Sequence, residues 1–396
     1  MTVKKKTLGL LAAALVAANL CGCAGLQSII GGNLNGESVS EQDALVDFVV
    51  EVEEGRDPIV LQLTDTQVID SSQQRTPDRL GAELTAYWAK ENKEARCYGY
   101  IRQLVQRSSP DLILLTGDIV YGEFDDDGSA LTEFVAFMDS FDIPWAPVFG
   151  NHENESKMGV DWQCRQFENA ENCLFKRREL TGNGNYSVGI KQGEKLLRVF
   201  YMLDSNGCSA ASDESYDTGR IRLSNGLESD QIDWYASEIR QLKEKSPDTK
   251  TSLAFHIPML AFIDALTEKY GYTEAGFAPI DLDSVGLDGD FGYVGGRFSG
   301  WDIGNRMWNL VLSLGIDSIF VGHEHVISSG VKYEGVQLQF GLKSSTYDAL
   351  NYITSDGEIV RSYSEAGTPI VGGTVIPVSR RDGSVAPYHI YCEAKV

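Results

Sequence analysis

Short apolar runs alternate with segments of helical composition along most of the chain after residue 58. The apolar runs are rich in β-branched residues, which is typical of buried strands. The expected strands are residues 59–63, 112–115, 144–149, 197–203, 251–255 and 316–321. The expected helices are residues 84–106, 129–140, 228–245 and 303–314. This alternation predicts an α/β fold.

Two long segments, residues 154–185 and 260–300, lack such periodicity. Loops of this length between core elements are uncommon unless they carry function, so we expect them to wall a substrate cleft. After about residue 326 the chain consists of short runs separated by turns such as Asp356-Gly357 and Asp382-Gly383. These turns predict a β-rich C-terminal portion.

The N-terminus has the pattern of a targeting segment. Three lysines, Lys4 to Lys6, precede an apolar stretch at residues 8–20 that is too short to span a bilayer as a stable anchor. The following Leu20-Cys21-Gly22-Cys23 resembles a bacterial lipobox. The resemblance implies that residues 1–22 are a signal peptide and that Cys23 is lipidated. An ordinary secretory signal is the alternative.

A lipobox implies a lipid-anchored protein of the bacterial cell envelope, periplasmic or surface-exposed, with the membrane as a partner through the anchor. Ala24 lacks the aspartate-type retention signal, which favours the outer membrane. Residues 24 to about 45 are rich in Gly, Asn, Ser and Gln, and we expect a flexible tether over residues 23–55. The phosphoesterase-like domain identified below is expected over residues 56–396.

Net charge narrows the range of partners. The chain has 396 residues and a formal charge of −23, which argues against binding to nucleic acid or to an anionic membrane surface. A phosphorylated small molecule would need bound cations to reverse the local sign. Sequence indicates nothing about the oligomeric state.

The cysteines favour a disulfide rather than a metal site. Cys164 and Cys173 are close in a polar stretch, and in an oxidising compartment they are the best candidates for a local disulfide. Cys208 competes as a partner for either, and Cys97 is expected to be buried in a helix. No Cys-x-x-Cys pair with zinc spacing is present in the sequence.

Five short polar segments carry the candidate chemistry, and each follows an apolar run. They are Asp65-Thr66-Gln67, Gly117-Asp118, Gly150-Asn151-His152-Glu153, His256 and Gly322-His323-Glu324-His325. Four of the five histidines of the chain lie in these segments. Because an α/β fold gathers residues at the carboxyl ends of its strands, the segments predict one metal site. Each segment alone has an ordinary structural explanation, and the ordered set is what carries the prediction.

The ordered set resembles the calcineurin-like metallophosphoesterases, whose signature runs D-x-H, GD, GNH(D/E), H, GHxH. The resemblance covers about residues 56–330. It implies a mixed two-sheet β-sandwich flanked by helices, with two metal ions at the strand ends. By this mapping Asp118 bridges the metals. The ligands of one metal are then Asn151, His256 and His323, and those of the other are Asp65 and His325.

The same resemblance implies that His152 is a catalytic residue that stabilises or protonates the leaving oxygen. Mixed nitrogen and oxygen ligands suit Fe, Mn or Zn. The implied activity is hydrolysis of phosphate esters by a metal-bound hydroxide, with a phosphomonoesterase slightly preferred. The alternatives are a phosphodiesterase of the same fold and a non-catalytic binding lipoprotein with an impaired first metal site.

One position departs from the family pattern, because Gln67 occupies the place of the first histidine. A neutral amide oxygen binds a transition metal more weakly than imidazole does. Gly117-Asp118-Ile119-Val120-Tyr121 has the GDxxY spacing of purple acid phosphatases, in which a tyrosinate binds iron. The metal bound by Asp65 and His325 is called the first metal, after the first segment. It is therefore expected to take Gln67 or Tyr121 as an additional ligand. Tyr121 as an ordinary aromatic beside the strand is the alternative.

Overall fold

The computed structural model describes residues 3–5, 43–77, 81, 94–207, 225–302, 305–363 and 366–393. A sheet of eight strands and a sheet of five strands lie face to face. Helices pack on the outer faces. The expected α/β sandwich of two mixed sheets is therefore confirmed.

The eight-stranded sheet is parallel in its centre. In spatial order its strands are β1 (Val3–Lys5), β2 (Phe48–Glu51), β6 (Tyr186–Gln192), β7 (Lys195–Met202), β8 (Lys250–Ala254), β11 (Ser318–Val321), β13 (Val336–Phe340) and β12 (Gly330–Tyr333). Strands β7, β8, β11 and β13 pair in parallel. Their carboxyl ends therefore meet at one edge of the sandwich.

The five-stranded sheet has a parallel half as well. Its strands, in order, are β18 (Tyr388–Tyr391), β17 (Gly372–Pro377), β3 (Ile59–Leu63), β4 (Leu112–Leu115) and β5 (Trp145–Pro147). Strands β3, β4 and β5 pair in parallel, and β17 and β18 complete the sheet in antiparallel fashion. Smaller sheets consist of β15 (Ile359–Ser362), β14 (Leu350–Ile353) and β16 (Thr368–Pro369), and of β10 (Tyr293–Val294) and β9 (Ile280–Asp281).

Helices connect the strands of both sheets. The α-helices are α1 (Glu94–Ser108), α2 (Ser129–Asp139), α3 (Val160–Asn169), α4 (Ser229–Lys245), α5 (Leu260–Tyr270), α6 (Leu282–Val285) and α7 (Arg306–Leu314). Short 3₁₀ helices cover Asp43–Leu45, Gly122–Phe124 and Glu153–Glu155. Helix α4 begins with a capping box between Glu228 and Gln231, which satisfies backbone groups at its first turn.

The core has one layer between the sheets and another beneath the helices. Strand β7 shows the division, because successive side chains of a strand point to opposite faces. Phe200 packs between the sheets with Phe320, and Tyr201 packs on the other side in the cluster that includes Ile239 of α4. Both faces of β7 are buried from Leu196 to Met202, and Arg198, the one charged residue in that range, pairs with Asp317.

The expected strands all form, with ends that differ by a few residues from the expected bounds. Helix α1 matches the second half of the expected helix at 84–106, and residues 82–93 lie outside the described part of the chain. Seven strands, β12 to β18, follow residue 326. Among the described residues, no helix has the length and apolarity that a membrane span requires.

The tether expected over residues 23–55 ends earlier than we predicted. Strand β2 lies in that range and pairs in parallel with β6, with Phe48 opposite Val188. Val49 and Val50 are almost fully buried, so the folded domain includes residues before 56. Residues 23–42 and Cys23 itself lie outside the described residues.

The two long segments are not irregular throughout. The first contains α3, and the second begins with α5 and contains β9, α6 and β10. Helix α3 buries Val160, Cys164 and Phe167 against the core while its other face is charged. Part of the high polarity of these segments comes from exposed helix faces, such as the charged face of α3.

The expected disulfide between Cys164 and Cys173 is wrong. No bond joins the two residues, and both are buried in the core, Cys164 on α3 and Cys173 in a β-bridge with Trp145 at the start of β5. Cys97 is buried in α1, as expected. Cys208 lies outside the described residues.

Candidate metal centre

Asp118 lies at the middle of the candidate site. It follows β4, is 1% exposed, and has a left-handed backbone with φ of 51°. The preceding Gly117 also has positive φ, and a Cβ there would lie 2.6 Å from His256 Nδ1. Only glycine leaves room for the imidazole beside the Asp118 loop.

One group of possible ligands consists of Asp118, His256 and His323, whose ligand atoms lie within 4.8 Å of one another. His256 Nε2 is 3.1 Å from Asp118 Oδ2 and 3.3 Å from His323 Nδ1. The other nitrogen of His256, Nδ1, is 2.8 Å from the carbonyl oxygen of Thr116 and donates to it. That bond leaves the Nε2 lone pair directed at the centre.

The second group consists of Asp65, Asp118 and His325, again within 4.8 Å. His325 Nε2 is 3.3 Å from Asp65 Oδ1. The other oxygen of Asp65 accepts hydrogen bonds from Thr64 Oγ1 at 2.7 Å and from the backbone nitrogen of His323 at 3.0 Å. Asp118 belongs to both groups, as a bridging carboxylate must.

Asn151 lies in the loop after β5, and it is 4% exposed. The next backbone nitrogen, that of His152, donates to Asp118 Oδ1 at 2.9 Å. A Cβ at Gly150 would lie 2.2 Å from the same oxygen, so this loop reaches Asp118 only because residue 150 is glycine. Sequence predicted this convergence of the second and third segments.

Several site residues have strained backbones. Besides Asp118, positive φ angles occur at Asp65 (52°), Gln67 (46°) and His323 (75°). Residues other than glycine rarely adopt this conformation, which costs on the order of 1–3 kcal/mol each and concentrates at functional sites. All four residues lie in the loops that carry the candidate ligands.

Glu153 holds two of the ligand loops together. Its fully buried carboxylate accepts four backbone N–H groups, from Gly150, Asp118, Ile119 and Val120, at 2.5 to 3.1 Å. These donors lie in the loops after β4 and β5. Glu153 therefore fixes the position of Asp118 through the backbone, a role that sequence reasoning missed.

His152 is directed at the centre and held by a second carboxylate. Its Nε2 lies 3.7 Å from Asp118 Oδ2, and its Nδ1 lies 2.6 Å from Oε2 of the fully buried Glu155. Burial lowers the pKa of His152, but Glu155 and Asp118 outweigh that effect and raise it to about 10. His152 is therefore an imidazolium at neutral pH, with Nε2–H available as an acid.

Tyr121 packs against His152. The two rings are stacked, with centroids 4.0 Å apart and an interplanar angle of 24°. Tyr121 is 3% exposed and begins the 3₁₀ helix Gly122–Phe124. The stacking limits rotation of the imidazole, and coordination of a metal by the Tyr121 oxygen stays a prediction.

Gln67 already has a partner for its amide oxygen. Lys343, which is 2% exposed, lies in the segment after β13 and donates from Nζ to Gln67 Oε1 at 2.8 Å and to the Asp65 carbonyl oxygen at 3.0 Å. Sequence gave no signal for this contact, since a lysine after a strand is ordinarily exposed. Asp348, farther along the same segment, lies 3.8 Å from His325 Nδ1.

The histidines at the centre have divergent pKa values. Burial and the neighbouring His256 lower the pKa of His323 to about 3, so His323 is neutral and has a lone pair for coordination. Burial also lowers the pKa of His256, but Asp118 and Asp65 raise it to about 9. A proton and a metal ion therefore compete for His256 Nε2.

These residues fit a metal ion. Two imidazole nitrogens that bind one cation at about 2.1 Å, with angles of about 90–109°, lie roughly 3.0–3.4 Å apart. The 3.3 Å between His256 Nε2 and His323 Nδ1 falls in that interval. Asp65 Oδ1 is buried without a hydrogen-bond donor among the described residues, and it faces the same space. Each ligand group could hold one ion.

Two arginines of the segment at residues 154–185 pair with carboxylates outside the centre. Arg177 pairs with Asp161 and Glu168, and Arg178 pairs with Asp47. His389, the one histidine outside the five segments, lies 2.5 Å from the Ser328 carbonyl oxygen and 3.1 Å from Thr374 Oγ1. These contacts give His389 a structural role.

The family model for calcineurin-like phosphoesterases matches residues 59–327. This span includes all five segments and more than half of the chain. The chain belongs to the calcineurin-like phosphoesterase family.

Curated relatives include two Arabidopsis thaliana proteins named as probable inactive purple acid phosphatases 29 and 14. The first is 23% identical over 267 residues, which make up 61% of this chain and 61% of the relative. The second is 26% identical over 264 residues, 60% of this chain and 59% of the relative. An uncharacterized protein of Schizosaccharomyces pombe is 24% identical over 52% of this chain and 37% of its own length. The chain thus spans less than two thirds of these relatives.

Solved structures with a similar fold include a dimetal phosphatase from Danio rerio. It has a TM-score of 0.45 and 12% identity, and the match covers 85% of this chain and 99% of that one. The purple acid phosphatase PPD1 from yellow lupin has a TM-score of 0.39 and 13% identity, covering 85% and 54%. At these values the likeness concerns the fold alone.

Proposed function

We propose that this protein hydrolyses phosphate esters, with monoesters preferred to diesters, and that two metal ions assist it. The observation that carries the proposal is the position of Asp118, whose carboxylate belongs to both groups of possible ligands. A single buried carboxylate shared by two sets of nitrogen and oxygen donors is the arrangement that a dinuclear centre requires. The family supports a phosphorylated small molecule as the substrate class.

The ligands proposed for one metal are Asn151, His256 and His323, and those for the other are Asp65 and His325. Bound ions would neutralise phosphoryl oxygens and lower the pKa of a coordinated water towards neutrality. The donor set favours Fe, Mn or Zn over Ca or Mg. Gln67 and Tyr121 are the two candidates for an additional ligand to the first metal, the one bound by Asp65 and His325.

His152 supplies the acid. Its imidazolium, stabilised by Glu155, lies beside Asp118 and donates a proton from Nε2 to the leaving oxygen of the ester. Loss of a positioned general acid costs roughly 10²–10⁴ in rate. Glu153 keeps Asp118 in place during the reaction without itself meeting the substrate.

The test is turnover by purified protein that has been loaded with Mn, Fe or Zn. An aryl phosphate and a bis-aryl phosphate are the two substrates. We expect hydrolysis of both and a loss of about 10²–10⁴-fold in His152→Ala. His389→Gln is the matched control, since it changes the one histidine outside the centre, and it should keep activity. No hydrolysis with any of the three metals, or full activity in His152→Ala, would refute the proposal.

A non-catalytic binding protein is the second candidate. The engagement of Gln67 Oε1 by Lys343 favours it, because that oxygen is then not available to a metal. Such a protein would bind inorganic phosphate in a metal-dependent way but would leave both esters intact. Phosphate binding measured beside the turnover assay separates the two candidates.

We also propose that the protein is lipid-anchored through Cys23 in the bacterial cell envelope, with the outer membrane preferred. Support comes from the sequence, in which Gly22 precedes Cys23 and Leu20 stands two places before Gly22. Cys23→Ala should move the protein from the membrane fraction to the soluble fraction. Retention of the variant at the membrane would contradict the anchor.

A further inference from the structure

Gln67 and Lys343 form a buried polar pair beside the proposed first metal. Gln67 is fully buried, Lys343 is 2% exposed, and the distance from Nζ to Oε1 is 2.8 Å. Lys343 also donates to the Asp65 carbonyl oxygen, which accepts a second hydrogen bond from Ser345 Oγ at 3.0 Å. The ammonium is therefore held in place from two sides.

This contact determines which way the Gln67 amide points. Lys343 Nζ donates to the amide oxygen of Gln67, as it does to the carbonyl oxygen of Asp65, so the oxygen is the amide atom that faces the lysine. The amide nitrogen is then the polar atom of Gln67 that Lys343 does not engage. In an isolated glutamine the amide oxygen and nitrogen could exchange places without a change in the shape of the side chain. The hydrogen bond that Lys343 donates excludes that exchange here.

The Gln67 amide nitrogen lacks an acceptor in the described part of the chain, although it is buried. Native proteins rarely leave a buried N–H group unsatisfied, and such groups in a site call for an explanation. A metal ion is not that explanation, because an amide N–H is a donor and has no lone pair for a cation. A bound oxyanion would explain the unsatisfied amide N–H group, because it supplies the acceptor that this group lacks.

The location of Gln67 indicates which oxyanion. Its backbone nitrogen donates to the Asp118 carbonyl oxygen at 2.8 Å, and Asp65 lies two residues before it, so Gln67 lies between two loops that carry candidate metal ligands. Asp65 and Asp118 are carboxylates, and another anion would stay there only with cations bound. Phosphate on the metals meets that condition.

We infer that Gln67 is a hydrogen-bond donor to a phosphoryl oxygen of the bound substrate, and that Lys343 is the positioning residue that fixes it in this role. The inference rests on the proposed phosphoesterase function. The side chain that replaces the first family histidine would thus bind the substrate rather than the metal. The first metal would then have Asp65, Asp118 and His325 as its protein ligands, with or without Tyr121.

The test separates metal binding from phosphate binding. Titration calorimetry with Mn²⁺ on metal-free protein gives the number and affinity of the metals, and titration of the Mn²⁺-loaded protein with inorganic phosphate gives the oxyanion affinity. In Gln67→Met we expect an unchanged number of metals, with affinities within about threefold of the wild type. Phosphate should bind roughly 10- to 100-fold more weakly, the usual loss for a hydrogen bond to a charged group.

Two further variants identify the role of Lys343. Lys343→Met should weaken phosphate binding as Gln67→Met does, and the double variant should be no weaker than either single variant, because both changes remove one donor. Gln339→Met is the control for loss of a buried amide away from the centre, since its nitrogen is bonded to the Phe340 carbonyl oxygen. It should leave phosphate binding unchanged.

The outcomes are distinct. Loss of one Mn²⁺ in Gln67→Met would show that Gln67 is a ligand and would overturn the inference. Wild-type phosphate affinity in Gln67→Met would overturn it as well, while leaving the proposed function intact. A Mn²⁺-loaded wild type that binds no phosphate would overturn both.

Discussion

Replacing Glu153 by alanine tests whether the centre depends on a carboxylate that is not itself a ligand. Glu153 lies in the 3₁₀ helix Glu153–Glu155, and its carboxylate is the acceptor for four backbone N–H groups in the loops after β4 and β5. The variant removes all four hydrogen bonds at once. It keeps every proposed ligand.

The expected loss in the free energy of unfolding follows from those four donors. Truncation leaves a polar cavity that could admit a water molecule, and one water can satisfy about two of the donors. The remaining two, buried without an acceptor, cost about 1–3 kcal/mol each, so we expect a loss of about 2–6 kcal/mol in the free energy of unfolding. That is a large part of the roughly 5–15 kcal/mol that stabilises a typical domain.

Guanidinium chloride unfolding of the metal-free protein measures this loss, and Mn²⁺ titration of the folded variant measures the effect on the centre. We expect metal affinity to fall, because the backbone at Asp118 is released from Glu153. Glu244→Ala, an exposed glutamate on α4, is the matched control and should change stability by less than about 0.5 kcal/mol. A Glu153→Ala protein with wild-type stability and metal affinity would refute the reasoning.

Three other predictions concern proton and thiol chemistry. Glu155→Gln removes the carboxylate that raises the pKa of His152, so the basic limb of kcat/KM should move to lower pH by roughly 1–3 units; an unchanged limb would exclude His152 as the acid. Because the carboxylates raise the pKa of His256 to about 9, Mn²⁺ binding at pH 7 should release a proton. Calorimetry in two buffers of different ionisation enthalpy detects that proton, and equal heats would contradict it. Alkylation under denaturing, non-reducing conditions should modify both Cys164 and Cys173, and protection of both would indicate a disulfide.

The strands and the grouping of most candidate ligands could be predicted because their signals are local. Strands β3, β4 and β11, which precede candidate ligands, are buried almost throughout and consist mainly of apolar residues, and β8 ends in the apolar pair Leu253-Ala254. A polar residue at the end of such a run stands out in sequence. The structure brings together Asp65, Asp118, His256, His323 and His325 from four such ends.

Other features depend on contacts between distant residues and leave no local trace. Strand β2 follows a stretch rich in Gly and Asn, and it becomes a strand by pairing with β6 far along the chain. Lys343 contacts a side chain 276 residues earlier. The four donors to Glu153 come from two loops that only the sandwich brings into contact. Such pairings are set by topology, and residue type alone does not indicate them.

The position of metal ions relative to Asp118 tests the central claim most directly. Crystals grown with Mn²⁺ and measured for anomalous scattering would locate each ion. We predict two peaks about 3.5–4 Å apart on either side of the Asp118 carboxylate, one beside His256 and His323 and the other beside Asp65 and His325. A single peak that does not touch Asp118, or no peak at the centre, would contradict the account.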